Sequence, residues 1–130
     1  MPEIRQFESG ANRDSDVGKL DYEGFFSPLV MEEYARYMHG CRQLPDGSLR
    51  DSDNWQKGIP LTVYMKSLFR HFVDVWKLHR GVPITTLDRF TKQPVTLKVA
   101  LCAALFNTMG YLHEILKAER AAQDNEQKAA

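Results

Sequence analysis

The chain has 130 residues, 43% hydrophobic and 26% charged, the balance of a soluble globular domain able to bury a core without cross-links. Lys plus Arg and Asp plus Glu both number 17, so no strong field points to nucleic acid or to an anionic membrane. Cys41 and Cys102 form no CxxC pair and nothing resembles a secretory signal, which predicts reduced thiols and a cytoplasmic protein. The most apolar run, residues 99–106, is too short to span a bilayer.

Residues 1 to about 26 hold no sustained period, broken by Gly10, Gly18 and Gly24. About the first nine should be loose and the rest should lie along the domain. Ser27-Pro28 is a helix start, a capping hydroxyl followed by proline at the first helical position. Val30, Tyr34, Tyr37, Met38 and Cys41 follow at helical spacing. Glu33 borders that apolar face, whereas Glu32 and Arg36 point away and can pair at i,i+4. Residues 42–59 form a long loop with a Pro-Asp-Gly turn at 45–47. Asn54, Trp55 and Lys57 end it. An aromatic beside an amide and a cation can stack on a base and hold a phosphate, or the tryptophan simply covers the edge of a core.

The longest amphipathic stretch is a helix near 60–80, opened by Pro60 and closed by Gly81. Leu61, Met65, Leu68, Phe72, Val75 and Trp76 recur at spacings of three and four and predict its core face. Ser67, His71 and Asp74 lie about 100° away, at the rim of that core. Pro83 and Pro94 then fence off a connector with a short helical turn around Thr86 to Phe90. The last helix, near 95–120, is apolar nearly all round. A strip of Ala100, Ala103, Ala104, Asn107, Gly110, Tyr111 and Glu114 makes it a close helix or subunit contact or a pocket wall. Residues 122–130 should fray. The expectation is one all-α domain spanning 1–130, with three principal helices and no β-sheet of note. The greasy surface left over predicts a homo-oligomer, a dimer or a tetramer.

No P-loop, GxGxxG, nucleophile elbow or zinc spacing is present. The chemistry available is carboxylates and amides facing inward from helices: Glu33, Asp74, Asn107 and Glu114, with His71. Such oxygen-rich sets suit Mg²⁺ or Mn²⁺, which bind through a few carboxylates plus substrate phosphates. A metal-bound water beside a phosphoanhydride is then the reaction class.

Residues 10–22 (GANRDSDVGKLDY), the Ser27-Pro28 helix, 53–60 (DNWQKGIP), 68–76 (LFRHFVDVW) and the helix of Asn107 together resemble the phage dATP/dGTP diphosphohydrolase N-terminal family. That family is related to the all-α, MazG-like nucleoside triphosphate pyrophosphohydrolases. The resemblance runs through nearly the whole chain in order. It implies a helical bundle of the all-α NTP pyrophosphatase type, completed by oligomerisation. The implied reaction is metal-dependent hydrolysis of a purine deoxynucleoside triphosphate to the monophosphate and pyrophosphate, in the host cytoplasm for a phage protein. Lys19, Asp21, Asn54, Trp55, Lys57, Arg70 and Asn107 match substrate-binding positions, with Arg13 in the same N-terminal motif. His71 matches the family's Arg-His pair and Asp74 is similar to the Asp of the wider superfamily's metal-binding helix, and both are assigned to catalysis; from the inward carboxylates, Asp74 with Glu33 or Glu114 would hold the metal. Two departures count for an alternative, a sequestering nucleotide-binding module with a degraded metal site. His71 stands where the wider superfamily has Glu three residues before the Asp. His79-Arg80-Gly81 stands where many members have Gly-Glu and then an acidic, histidine-rich segment. A helical host-protein inhibitor is the third possibility.

Overall fold

A computed structural model describes residues 3–129. The chain is mostly helical: β1 (Ile4–Gln6), β2 (Asn12–Asp14), α1 (Tyr22–Phe25), α2 (Pro28–Gly40), α3 (Leu61–His79) and α4 (Leu97–Ala129), with a 3-10 helix at Asn54–Lys57. Two compact units divide between Met31 and Glu32.

In the smaller unit β1 and β2 pair antiparallel, Arg5 opposite Arg13. This hairpin departs from the expectation of no sheet. Its strands carry no alternating apolar pattern and are exposed throughout, so periodicity gives no sign of them. Arg5 holds it from the side, donating to the Asp14 carbonyl at 3.0 Å and pairing with Asp16. Asp21 caps α1, its carboxylate accepting from the Gly24 amide at 2.9 Å.

The three long helices begin and end close to where their signals lie. Ser27 Oγ accepts from the Val30 amide ahead of α2. Pro60 opens α3 with φ −59°, and Gly81 terminates it in the left-handed region at φ 73°. Thr96 Oγ1 accepts from Val99 N and starts α4. At the other end α4 continues to Ala129, past the expected stop near 121. Residues 117–129 are rich in strong helix formers, and Arg120, Asp124 and Lys128 stand at i,i+4 spacing.

The larger unit is built on α3 against α4. Tyr64, near the start of α3, meets Phe106 edge-on and lies on Gly110. His71, two turns later, shares a cavity with Val99 and Ala103, so the helices run antiparallel. Small residues permit the approach: Ala100, Ala103 and Gly110 are buried. A Cβ at position 110 would lie 2.6 Å from the Tyr64 hydroxyl oxygen and closer still to its ring.

This contact turns α3 by about 100° from the expected orientation. The face turned to α4 is Tyr64, Ser67, His71 and Asp74, with Tyr64 and Asp74 buried. Most of the face read as core is open: Met65 is 38%, Phe72 57% and Trp76 57% exposed. The physical reason is fit. Alanine and glycine on α4 accept the one ring of Tyr64 and the slim polar strip beside it, whereas bulkier Phe72 and Trp76 would hold the helices apart. Leu97, Leu101, Leu105 and Leu112 of α4 are likewise 39 to 52% exposed. By length and composition α4 is long and apolar enough to cross a bilayer, with only 22% of its most apolar 18-residue window buried. That exceeds the short run singled out in the sequence.

Helix propensity alone makes Gly→Ala stabilising by about 1 kcal/mol in a helix interior. At Gly110 the opposite sign is expected. Gly110→Ala should lower the urea midpoint by the equivalent of about 1–3 kcal/mol, the usual scale of overpacking. Much of that loss should return when Tyr64→Leu is combined with it, because the two positions share one contact.

Candidate functional site

Both connections flanking α3 are folded back on themselves. Arg42 and Arg50 clasp the first: Arg50 N donates to the Arg42 carbonyl at 2.8 Å, and Arg42 Nε returns a bond to the Arg50 carbonyl at 2.7 Å. The 45–47 turn closes inside that clasp, with Gln43 bridged to Leu49. The chain then enters the 3-10 helix that sets Trp55 edge-on to Phe106 and 4.8 Å from the His113 ring.

The second connection forms no helical turn around Thr86 to Phe90. Leu87 bridges Pro94, and the Asp88 carboxylate accepts from the amides of Phe90 (2.8 Å) and Thr91 (3.0 Å). These amides hold the Asp88 carboxyl below its usual range. Arg89 ties the connection to the end of α2, donating to the Cys41 and Gln43 carbonyls. Asp-centred turns compete with a helix here, and the sequence reading missed that competition.

Two cavities lie beneath these connections. The first, of about 180 Å³, is lined by Tyr37, Arg42, Arg50, Asn54, Trp55 and Phe106 among others. The second, of about 320 Å³, is lined by Tyr37, Arg50, His71, Asp88, Arg89 and Val99 among others. Tyr37, Cys41 and Arg50 line both. The Arg50 side chain forms no ion pair among the described residues. Burial first, and the neighbouring Cys41 second, push the Tyr37 hydroxyl far above its usual range. Burial also lifts Tyr34 to about 12. Both phenols stay protonated at neutral pH, and Tyr34 donates to the Met109 sulfur. Burial depresses the His71 imidazole, against the pull of Asp74, so at neutral pH the ring is uncharged and one nitrogen can accept a proton.

Asn54, Trp55 and His71 thus open onto adjoining cavities. The other proposed positions do not line either one. Arg70 is exposed and donates to Ser67 on its own helix. Lys57 is exposed. Asn107 is 5% exposed and its amide donates to the Ala103 carbonyl at 2.8 Å. That bond answers the requirement for a partner and makes the residue part of the α3–α4 packing. Lys19 and Asp21 belong to the smaller unit.

The proposed metal ligands are spread out. Glu33 pairs with Arg36 and Lys98, and Glu114 with Lys117 at 3.1 Å. Glu114 acts electrostatically on Tyr64, whereas Asp74 lies ten residues further along α3, about 15 Å at helical rise. Among the described residues no three His, Cys, Asp or Glu side chains gather in a way that could hold a metal ion. These residues do not fit one shared Mg²⁺ or Mn²⁺. Asp74 is buried and Glu33 and Glu114 are half-buried, but depth along the bundle depends on register, which a single sequence does not contain. Arg50, Tyr37, Arg89 and His113 were missed for a related reason. Tyr37 reads as one more apolar position, and the arginines acquire their places from hairpin geometry.

Comparisons with protein-family models, with curated proteins and with solved structures find no match.

The depressed His71 carries a pH consequence. Its folded form binds a proton less readily than the unfolded form, whose value is near 6.5, so its contribution to stability is complete above that value and is lost as pH falls. Urea midpoints should therefore drop between pH 7.5 and pH 5, and His71→Gln should flatten that drop.

Proposed function

We propose that the chain binds a nucleotide, its base among the aromatic rings of the first cavity and its phosphates beside Arg50, without a chelated metal. The observation that carries this reading is the adjoining pair of cavities, one holding Asn54 and Trp55 and the other His71, with Tyr37 and Arg50 common to both. An aromatic-lined cleft next to a guanidinium suits a flat base joined to an anion. The size of the second cavity lies within the range of small-molecule sites. On this reading α2, α3 and α4 form a bundle of the NTP pyrophosphatase type that retains a nucleotide pocket without a working metal set.

The resemblance to the dATP/dGTP diphosphohydrolase family supports a purine deoxynucleoside triphosphate as the ligand. A second reading is hydrolysis of that ligand to the monophosphate and pyrophosphate. One observation favours it: an uncharged His71 in the second cavity is a competent general base.

Binding of dATP or dGTP, followed by calorimetry in the presence of EDTA, is expected to persist. Trp55→Ala and Arg50→Ala should each weaken it about tenfold, or ~1.4 kcal/mol, while Arg70→Ala and Lys57→Ala should leave it unchanged. Pyrophosphate release with Mn²⁺ that vanishes in His71→Gln would replace sequestration by catalysis. Absence of binding to any purine or pyrimidine triphosphate would overturn both readings.

A further inference from the structure

The balance of charge over the whole chain, 17 against 17, conceals a local excess on α3. Lys66, Arg70 and Lys77 lie on the helix and Arg80 follows it directly, whereas its single acid, Asp74, is buried. All four cations are exposed, and none forms an ion pair among the described residues. The bond from Arg70 to the Ser67 hydroxyl leaves the guanidinium charge uncompensated. Successive residues turn by about 100°, which sorts the outer surface of α3 into two arcs. Phe72, Met65, Trp76, Phe69 and Val73 fall within about 100° of one another. Lys66, Lys77 and Arg70 fill ~40° next to them, beyond Val73. Phe69, Phe72 and Trp76 are 63%, 57% and 57% exposed, so three aromatic rings stand in open water beside unpaired cations.

The composition of the two arcs selects what covers them. Phenylalanine, methionine and valine bring no hydrogen-bonding group. A row of such unlike shapes on a convex helix requires a matching surface from any folded partner, whereas fluid hydrocarbon requires no match. A tryptophan ring settles where hydrocarbon meets headgroup. Lysine and arginine have long apolar stems and reach from the same depth to lipid phosphates. Nucleic acid would pair with the cations yet give Met65, Phe72 and Val73 no apolar phase to enter. An aromatic arc bordered by cations is the pattern of a helix lying in the plane of an anionic membrane, its apolar side sunk by about 5–10 Å. The charges recur in nearly every turn of α3, so this helix lies on a bilayer and does not cross it.

We propose that α3 docks the protein peripherally on an anionic lipid surface, with Phe69, Phe72 and Trp76 among the acyl chains and Lys66, Arg70 and Lys77 on headgroup phosphates. The full chain should float with phosphatidylcholine vesicles that contain phosphatidylglycerol, stay behind with phosphatidylcholine alone, and be released by high salt. Lys66→Ala and Lys77→Ala should each lower the partition coefficient about fivefold, and Phe72→Ala about tenfold. In a Trp55→Phe background, Trp76 fluorescence should shift to the blue on binding and be quenched by brominated acyl chains. If Phe72→Ala lacks helical circular dichroism, the two lysine variants decide. Flotation that ignores both lysine substitutions, or that proceeds equally with phosphatidylcholine alone, overturns the proposal and indicates insertion of α4 instead. So does a wild type that stays in the aqueous phase with phosphatidylglycerol vesicles, whether free or bound to a DNA oligonucleotide. Neither lysine lines a cavity, so calorimetric binding of dATP should be unchanged in both variants, and nucleotide binding and lipid docking can fail separately.

Discussion

The structure of the larger unit depends on one contact, the ring of Tyr64 laid on Gly110. It brings two helix backbones close together, fixes their antiparallel register and leaves the Tyr64 hydroxyl buried without a hydrogen-bond partner. An orphaned buried hydroxyl costs about 1–3 kcal/mol. The close packing of Ala100, Ala103 and Asn107 around the same seam is what offsets that cost. From this register follow the depth of His71 and the distance between Asp74 and Glu114. The direction of every remaining side chain on α3 follows as well.

Because the seam selects slim residues, polarity and burial separate along α3. Ser67, His71 and Asp74 go inward or to the margin of a cavity, and the phenylalanines and the tryptophan go outward. A helix that buries its polar strip has two obligations. The strip must be solvated by something other than bulk water, and the apolar stripe must be covered by something other than its own chain. The first is met by a recess in which a histidine, a protonated phenol and arginines collect. The second is not met among the described residues, where Phe72 and Trp76 are each 57% exposed.

Much of this was legible in the residues. Ser27-Pro28, Pro60 and Gly81 mark helix ends by their own stereochemistry, without help from distant parts of the chain. The strip of small residues on α4 allowed a close contact or a pocket wall, and it makes the contact; Trp55, read as stacking on a base or covering a core edge, lines the first cavity. Facing direction was not legible, because amphipathicity says which side of a helix is apolar and not which side meets the neighbouring helix. The two sides coincide when the neighbouring helix has room for bulky side chains, and they diverge when, as along Ala100, Ala103 and Gly110, it leaves room chiefly for a slim strip. The N-terminal hairpin and the Asp88 turn escaped notice for a local reason. Their order comes from hydrogen bonds between backbone and short polar side chains, and these leave no periodic trace.

The length of α4 has a further consequence. At 19 residues α3 covers about 29 Å, and at 33 residues α4 extends about 50 Å. The last ~20 Å of α4 stand beyond the N-terminal end of α3, exposed on all sides. Without tertiary neighbours, that segment obeys the helix–coil equilibrium of a peptide and not the all-or-none transition of the bundle. Its amides would exchange with solvent in a gradient, slowest beside Gly110 and fastest at Ala129. On warming, ellipticity would therefore fall gently before the cooperative unfolding begins, and the pretransition slope would measure the projecting turns alone.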